Sequence, residues 1–309
     1  MPASAWDVVG IGESSVDEIY RLPAAPAPGA KMPIGSRRIR YGGQVATTLA
    51  TCASFGLRAT LVGTMGEDEH GTGLRRALEQ RGVDTTHLIQ RSARHRHALI
   101  LVDERTGDRT VLWERDARLS LDVSDVPREV IANTRLLHVD DTDLDAAIEA
   151  AGIARDAGIP VTSDLDHVAD RTNALLALVS HPIFAQGVPS ALTGEADPER
   201  ALRTLRRAHH EMLCVTLGAQ GSMLLEGNQL YRVPAPAVHP VDTTGAGDVF
   251  RGAFICALLR GDRPHEILRF ANGAAALSCT REGALDSVPT QQEVEEFLEG
   301  KGQRSKGKG

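Results

Sequence analysis

The chain has 309 residues, enough for one large α/β domain or two small ones. Hydrophobic residues at 42% sustain a substantial core, while an aromatic share of 4% and a formal net charge of -7 exclude base-stacking platforms and phosphate-backbone binding, so no nucleic-acid partner is expected. Cys52, Cys214, Cys256 and Cys279 form no C-x-x-C pair, the N-terminus lacks a basic and then apolar signal region, and no apolar run approaches the ~20 residues of a membrane span. These features point to a cytoplasmic protein without membrane contact that acts on a small molecule.

Asp7-Val8-Val9-Gly10-Ile11-Gly12 reads as the first strand of a parallel sheet. Gly10 and Gly12 invite a dinucleotide-binding reading, but Ser15 stands where the third glycine belongs. Residues 13–41, rich in Pro and Arg with partial alternation, suit a small exposed sheet outside the core. Gly42-Gly43 opens a helix over Gln44–Phe55 that ends at Gly56. A strand at Ala59–Val62, a turn over Gly63–Gly71 and a helix at Gly73–Arg81 follow. Ala98–Val102 and Arg109–Trp113 flank Thr106-Gly107-Asp108, a hairpin signal that joins 13–41 as a discontinuous β lid.

From Arg135 strand and helix alternate: Leu136–Val139, Asp143–Ala157, Ile159–Asp164, Asn173–Leu178, Pro182–Ala185, Pro198–His209 and Met212–Leu217, then a hairpin through Gly227-Asn228. The fold class expected is α/β, a doubly wound, mostly parallel sheet flanked by helices, with the small β-sheet lid. Residues 1–12, 42–95 and 117–300 form the large domain, 13–41 and 96–116 the lid, and the basic, glycine-rich 301–309 a disordered tail.

The most informative stretch runs from Val241 to Phe254, VDTTGAGDVFRGAF. Small residues at Gly245, Ala246 and Gly247 precede the helical run Val249–Leu259. A glycine-rich loop entering a helix turns N–H groups toward one point, and the helix end adds unpaired donors and positive dipole. The product is an anion hole. Asp248 at its mouth suits a base that takes a proton from an incoming hydroxyl; a helix N-cap is the alternative.

This run closely resembles the C-terminal signature of the ribokinase (PfkB-type) family of carbohydrate kinases, and the resemblance extends over nearly the whole chain. It implies that Asp248 is the catalytic base and that Gly245, Ala246 and Gly247 form the anion hole. It further implies that Asp17, Gly42, Gly43, Gln44, Thr47 and Asp141 meet the substrate; for Asp17 the other reading is a solvated loop acid, and for Asp141 a helix cap. Thr216, Gly218 and Gly221 resemble the family's nucleotide loop, and Asn272 faces the nucleotide in the matching helix, whose alanines fit close packing equally well. Asp242, Thr244, Ser278, Arg281, Gly283 and Ser287 match the positions that hold a monovalent cation in potassium-activated relatives, a loop without an ion being the alternative.

Three departures stand out. Gln44 and Thr47 replace a frequent Lys and the usual Asn, losing charge and reach. Relatives carry Asn-x-x-Glu before Leu-Thr-Gly to order magnesium waters and phosphate; here Ala185-Gln186-Gly187-Val188 precedes Leu192-Thr193-Gly194, leaving Gln186, Asp164 and Asp166 as substitutes. The sulfofructose kinase-like branch also lacks a clean copy of that motif; Lys31 matches that branch, whereas Thr142 and Trp113 do not. The resemblance thus implies an ATP- and Mg2+-dependent kinase, with K+ as a further cofactor, acting on a hydroxymethyl group of a small sugar or sugar acid. A homodimer formed through the lid is expected. A non-catalytic nucleotide- or sugar-binding regulator of the same fold is the alternative, as is a nucleoside kinase with Trp113 or Tyr41 against the base.

Overall fold

Val8, Val9 and Ile11 are buried, which makes β1 (Trp6–Ile11) a strand covered on both faces, as a central strand of a parallel sheet must be. The computed structural model describes residues 5–106 and 108–300; Gly107 of the expected hairpin turn and the expected disordered tail 301–309 lie outside the described residues. After β1 come β2 (Ser15–Leu22), β3 (Ser36–Gly42), α1 (Gln44–Ser54), β4 (Ala59–Gly66), α2 (Glu69–Glu79), β5 (Val83–Asp84) and β6 (Leu88–Arg91). The middle of the chain gives β7 (His97–Asp103), β8 (Arg109–Glu114), α3 (Arg128–Ala132), β9 (Thr134–Asp140), α4 (Leu144–Asp156), β10 (Val161–Leu165), α5 (Thr172–Leu176) and β11 (His181–Phe184). The remainder supplies α6 (Val188–Thr193), α7 (Pro198–Leu205), β12 (Met212–Thr216), β13 (Ser222–Glu226), β14 (Gln229–Val233), α8 (Ala246–Arg260), α9 (Pro264–Ser278) and α10 (Gln291–Leu298).

Among the described residues, ten strands form one sheet in the order β14-β13-β12-β11-β10-β9-β1-β4-β5, with β6 beside β4. Every pair from β12 to β5 is parallel, and only the β12-β13-β14 edge is antiparallel. Helices cover both faces. Leu49, Phe254 and Ile267 belong to the apolar layer on one side, and Ala150, Leu202 and Leu137 to the layer on the other. Strand order reverses between β9 and β1, so the carboxyl ends of β1, β9 and β10 open on one crevice, where such sheets place their ligands.

A separate four-stranded sheet has the order β3-β2-β7-β8. Its outer pairs are antiparallel and its central pair, β2 with β7, is parallel, which the hairpin signal alone did not indicate. Ion pairs pin it to the larger body: Arg40 reaches Glu282 at 3.1 Å and Asp286 at 2.5 Å, and Arg38 also pairs with Glu282.

Several boundaries differ from the sequence expectation for local reasons. α2 starts four residues earlier than expected, because the Asp68 carboxylate accepts the Gly71 N–H at 3.0 Å and caps it there. α7 stops at Leu205 instead of His209. α6, begun by Pro189, and α10, begun by a Thr290–Glu293 capping box, were not anticipated.

α8 carries the end of the Gly245-Ala246-Gly247-Asp248 motif in its first turn. It begins after Gly245, whose φ of 76° turns the chain into the helix, and packs on α1 with almost nothing between them. A Cβ placed on Gly252 would lie 2.5 Å from Thr51 Cβ and 2.7 Å from the Thr48 carbonyl oxygen. Thr48 Oγ1 in turn donates to the Asp248 carbonyl at 3.1 Å. Gly252→Val should therefore force the helices apart and destabilise the protein by about 1–3 kcal/mol, the usual cost of overpacking, read as a lower midpoint in denaturant unfolding.

Candidate active site

Gly12 follows β1 beside Asp140, the last residue of β9; any Cβ at Gly12 would sit 2.3 Å from the Asp140 carboxylate. Asp140 accepts the Glu13 N–H at 2.6 Å and the Thr142 N–H at 3.0 Å. Burial, with Glu13 and Asp141 nearby, nonetheless pushes its pKa up to about 8. Asp140 is thus a fully buried post that ties two strand ends together. The neighbouring Asp141, expected to meet substrate or cap a helix, accepts the Asp166 and His167 N–H groups at 2.8 Å each and borders the cleft.

The cleft has two connected parts. A cavity of about 390 Å³ is bordered by Gly245, Gly247, Asp248, Gly42, Gly43 and Thr216. An adjoining one of about 650 Å³ lies under the small sheet, against Trp113, His97 and Arg115. Glu13, Ser15, Asp17, Gln44 and Asp166 border both, so the donors at the start of α8 and the side chains under the small sheet face one continuous space.

At the inner end, Gly245 is the helix cap and Asp248 lies three residues further on in the first turn, which removes the N-cap alternative. Burial raises the Asp248 pKa; Arg251 opposes this, and Asp166, Glu13 and Asp140 reinforce it. The direction is upward, because burial and the surrounding acids outweigh the one cation. A carboxylate so placed is a stronger base than one in water. Asp17 behaves similarly: burial, then Glu13 and Asp242, push it up to about 6 against the pull of Arg109.

Arg251 itself was not singled out from the sequence. It is 2% exposed, and its Nη2 lies 2.5 Å from Asp164 Oδ1 and 3.0 Å from Asp166 Oδ1. The signal was available as a lone charge in the otherwise apolar and small run VFRGAF. Glu13 and Ser15 were also passed over, although both border the two parts of the cleft.

Other expected residues fall into two groups. Gly42, Gly43, Gln44, Asp17 and Thr216 border the cleft, and Thr216 Oγ1 also donates to the Phe184 carbonyl at 3.4 Å. Gly218 and Gly221, with φ of 55° and 91°, bracket the short turn after β12. Thr47 instead is fully buried with Oγ1 unpartnered, and its Cγ2 lies 3.5 Å from the place a Gly245 Cβ would take. Asn272 is 4% exposed and gives its Nδ2 hydrogen to the Val233 carbonyl at 3.0 Å, so it points into the interior. Lys31 is exposed in the loop between β2 and β3 and does not border the cleft.

The proposed cation loop holds itself together. Asp242 Oδ1 accepts from the Thr244 N–H and Oγ1, its Oδ2 accepts the Gly283 N–H at 3.0 Å, and the Ser278 carbonyl accepts the Arg281 N–H at 3.0 Å. The Ser278 and Ser287 hydroxyls donate to the Ala275 and Ala284 carbonyls. For magnesium, the side chains of Ala185 and Val188 offer no oxygen, and the carboxylates of Asp164 and Asp166 face Arg251. Among the described residues no group of three or more His, Cys, Asp or Glu is arranged to hold a metal ion. A magnesium ion at this cleft would therefore take its ligands mainly from phosphate oxygens and water. Nor is any helix among them long and apolar enough to cross a membrane.

Comparison with known proteins gives a consistent result. The family model described as pfkB family carbohydrate kinase matches residues 7–291. Ribokinase of Haemophilus influenzae is 28% identical over 297 residues, covering 94% of this chain and 97% of its own length. "Probable fructokinase-4" of Arabidopsis thaliana is 30% identical over 325 residues, covering 95% and 97%. Among solved structures, Arabidopsis thaliana ribokinase complexed with ribose and ATP superposes with a TM-score of 0.84 at 26% identity, covering 95% of this chain and 99% of that one.

The Asp17 shift has a measurable consequence. Its carboxyl, raised to about 6, holds its proton more tightly in the folded chain than in the unfolded one, where the reference value is 3.8. Its contribution to stability is complete below that reference value and is lost as pH rises through about 6. Asp17→Asn should therefore match the wild type in melting temperature at low pH and exceed it above neutrality, in a pair of melting-temperature-versus-pH curves.

Proposed function

The chain belongs to the pfkB family of carbohydrate kinases, and from that premise we propose that it transfers the γ-phosphoryl group of ATP to a hydroxymethyl group of a small sugar or sugar acid. The observation that carries this reading is the placement of Asp248 beside the N-terminus of α8, in the same cleft as Asp17 and the Gly42-Gly43 pair. Asp248 removes the proton from the acceptor hydroxyl as its oxygen bonds to the γ-phosphorus, and the bond to ADP breaks on the far side. N–H groups of Gly245 to Asp248 hold the charge on the group in flight. Gln44, Ser15 and Asp17 offer hydrogen bonds to sugar hydroxyls. The ribokinases and fructokinase among the relatives support the substrate class, and ribose with ATP in the Arabidopsis ribokinase supports the pairing of sugar and donor.

The four-stranded sheet acts in this reading as the lid over the sugar. Val111, Leu112 and Trp113 on its β8 edge are 50%, 56% and 70% exposed. A second copy of the chain covers them. Leu112, unlike Val111 and Trp113, does not border the cleft, so Leu112→Glu should shift sedimentation from dimer to monomer without removing a site residue.

A regulator without catalysis has one observation in its favour, the oxygen-poor side chains of Ala185 and Val188. Turnover separates the two readings. A panel of sugars, sugar acids and nucleosides is assayed for ADP release, and Asp248→Asn is measured on the best acceptor. The variant should keep its affinity for ATP and lose about 10²–10⁴ in kcat, the usual worth of a positioned base. A wild type that binds ATP but turns over no acceptor would favour the regulator, and an unimpaired variant would refute the mechanism.

A further inference from the structure

Arg251 is a full cationic side chain buried in the first turns of α8, an environment that normally admits such a group only with partners on every donor. Its partners are lopsided. Both carboxylate contacts, to Asp164 and Asp166, use Nη2, whereas Nε is buried without a hydrogen-bond partner. An arginine serving only as a structural clamp would present its two-pronged edge to a carboxylate. Here the other prong runs back along the helix: Nη1 lies 2.6 Å from the place a Cβ on Gly247 would occupy, directly beside the anion hole, and the residue borders the same cavity as Asp248 and Ala185. Without this cation, Asp166 and Asp248 would confront an incoming phosphate with carboxylates alone.

We propose that Arg251 is a phosphoryl-binding residue: its guanidinium donates to an oxygen of the terminal phosphate of ATP while Asp164, from behind, and Asp166, from the cleft side, hold its Nη2. The inference rests on the kinase reading. It gives this chain, at the cavity wall where Ala185 supplies no polar side chain, a fixed cation of its own in contact with the phosphate.

The test uses titration calorimetry on the full chain without sugar, comparing ADP with a non-hydrolysable β,γ-imido analogue of ATP, each with and without magnesium. Arg251→Gln combined with Asp164→Asn removes both buried charges together, and Arg251→Lys keeps the charge while losing the planar fork. In the double variant the affinity for the ATP analogue should fall about tenfold or more while that for ADP stays within about threefold, the signature of one lost charge-assisted hydrogen bond to the terminal phosphate. Arg251→Lys should show a smaller loss with the same selectivity, and it decides the matter if the double variant does not melt cooperatively. Equal losses for both nucleotides would mark Arg251 as merely structural, and no loss for either would overturn the proposal outright. A wild type that binds neither nucleotide would overturn the kinase reading as well, so the two failures are distinguishable.

Discussion

The contact between α1 and α8 at Gly252 governs the rest of the structure. Because no side chain separates the helices there, the backbone of α8 lies against Thr48 and Thr51, and the Thr48 hydroxyl reaches the Asp248 carbonyl itself. Cys52 adds a weak hydrogen bond to the Gly252 carbonyl. The helix start is thereby fixed relative to Gly42 and Gly43, which open α1 from the other side of the cleft. Groups meant to act together need placement to fractions of an ångström, and two helices in backbone contact give Asp248 and the donors beside it that kind of placement.

Around that contact the cleft is crowded with acids. Burial is the main reason that Asp17, Asp140 and Asp248 hold their protons tightly; Glu13 adds to it at all three, and Asp166 and Asp140 add to it at Asp248. The consequence is that these three carboxyl groups have a raised affinity for protons, and Asp248 is the one that lies in the first turn of α8. Arg251 is the one cation that opposes this trend at Asp248 and Asp164. It pulls Asp248 and Asp164 back toward ionisation while its own charge is stabilised by the same acids. The balance between desolvation and one buried cation therefore sets the chemistry of the inner cleft.

The small sheet connects this interior to the surface. Its parallel β2–β7 pairing carries Asp17 and His97 to the cleft on adjacent strands, and Arg38 and Arg40 on β3 lock onto the 282–286 turn behind the anion hole. Position of the small sheet and placement of that turn are thus linked through these ion pairs.

Sequence alone determined the alternation of strands and helices, the glycine-bounded α1, the discontinuous second sheet and the Gly245-Ala246-Gly247-Asp248 motif, because each is written in local periodicity or in residues with restricted backbone preferences. It also supplied the resemblance that the family match bears out. Only the tertiary structure decided what the isolated side chains do. Thr47 and Asn272, expected at the cleft, are turned inward by the packing of α1 and α9, and Asp242 spends its oxygens on the turn that it closes. Arg251 meets Asp164 and Asp166 across 87 and 85 positions of chain (251 minus 164 and 251 minus 166). No periodicity records such a meeting: the pairing exists only once β10 and α8 are brought side by side, and it is enforced there by the cost of leaving a buried charge alone.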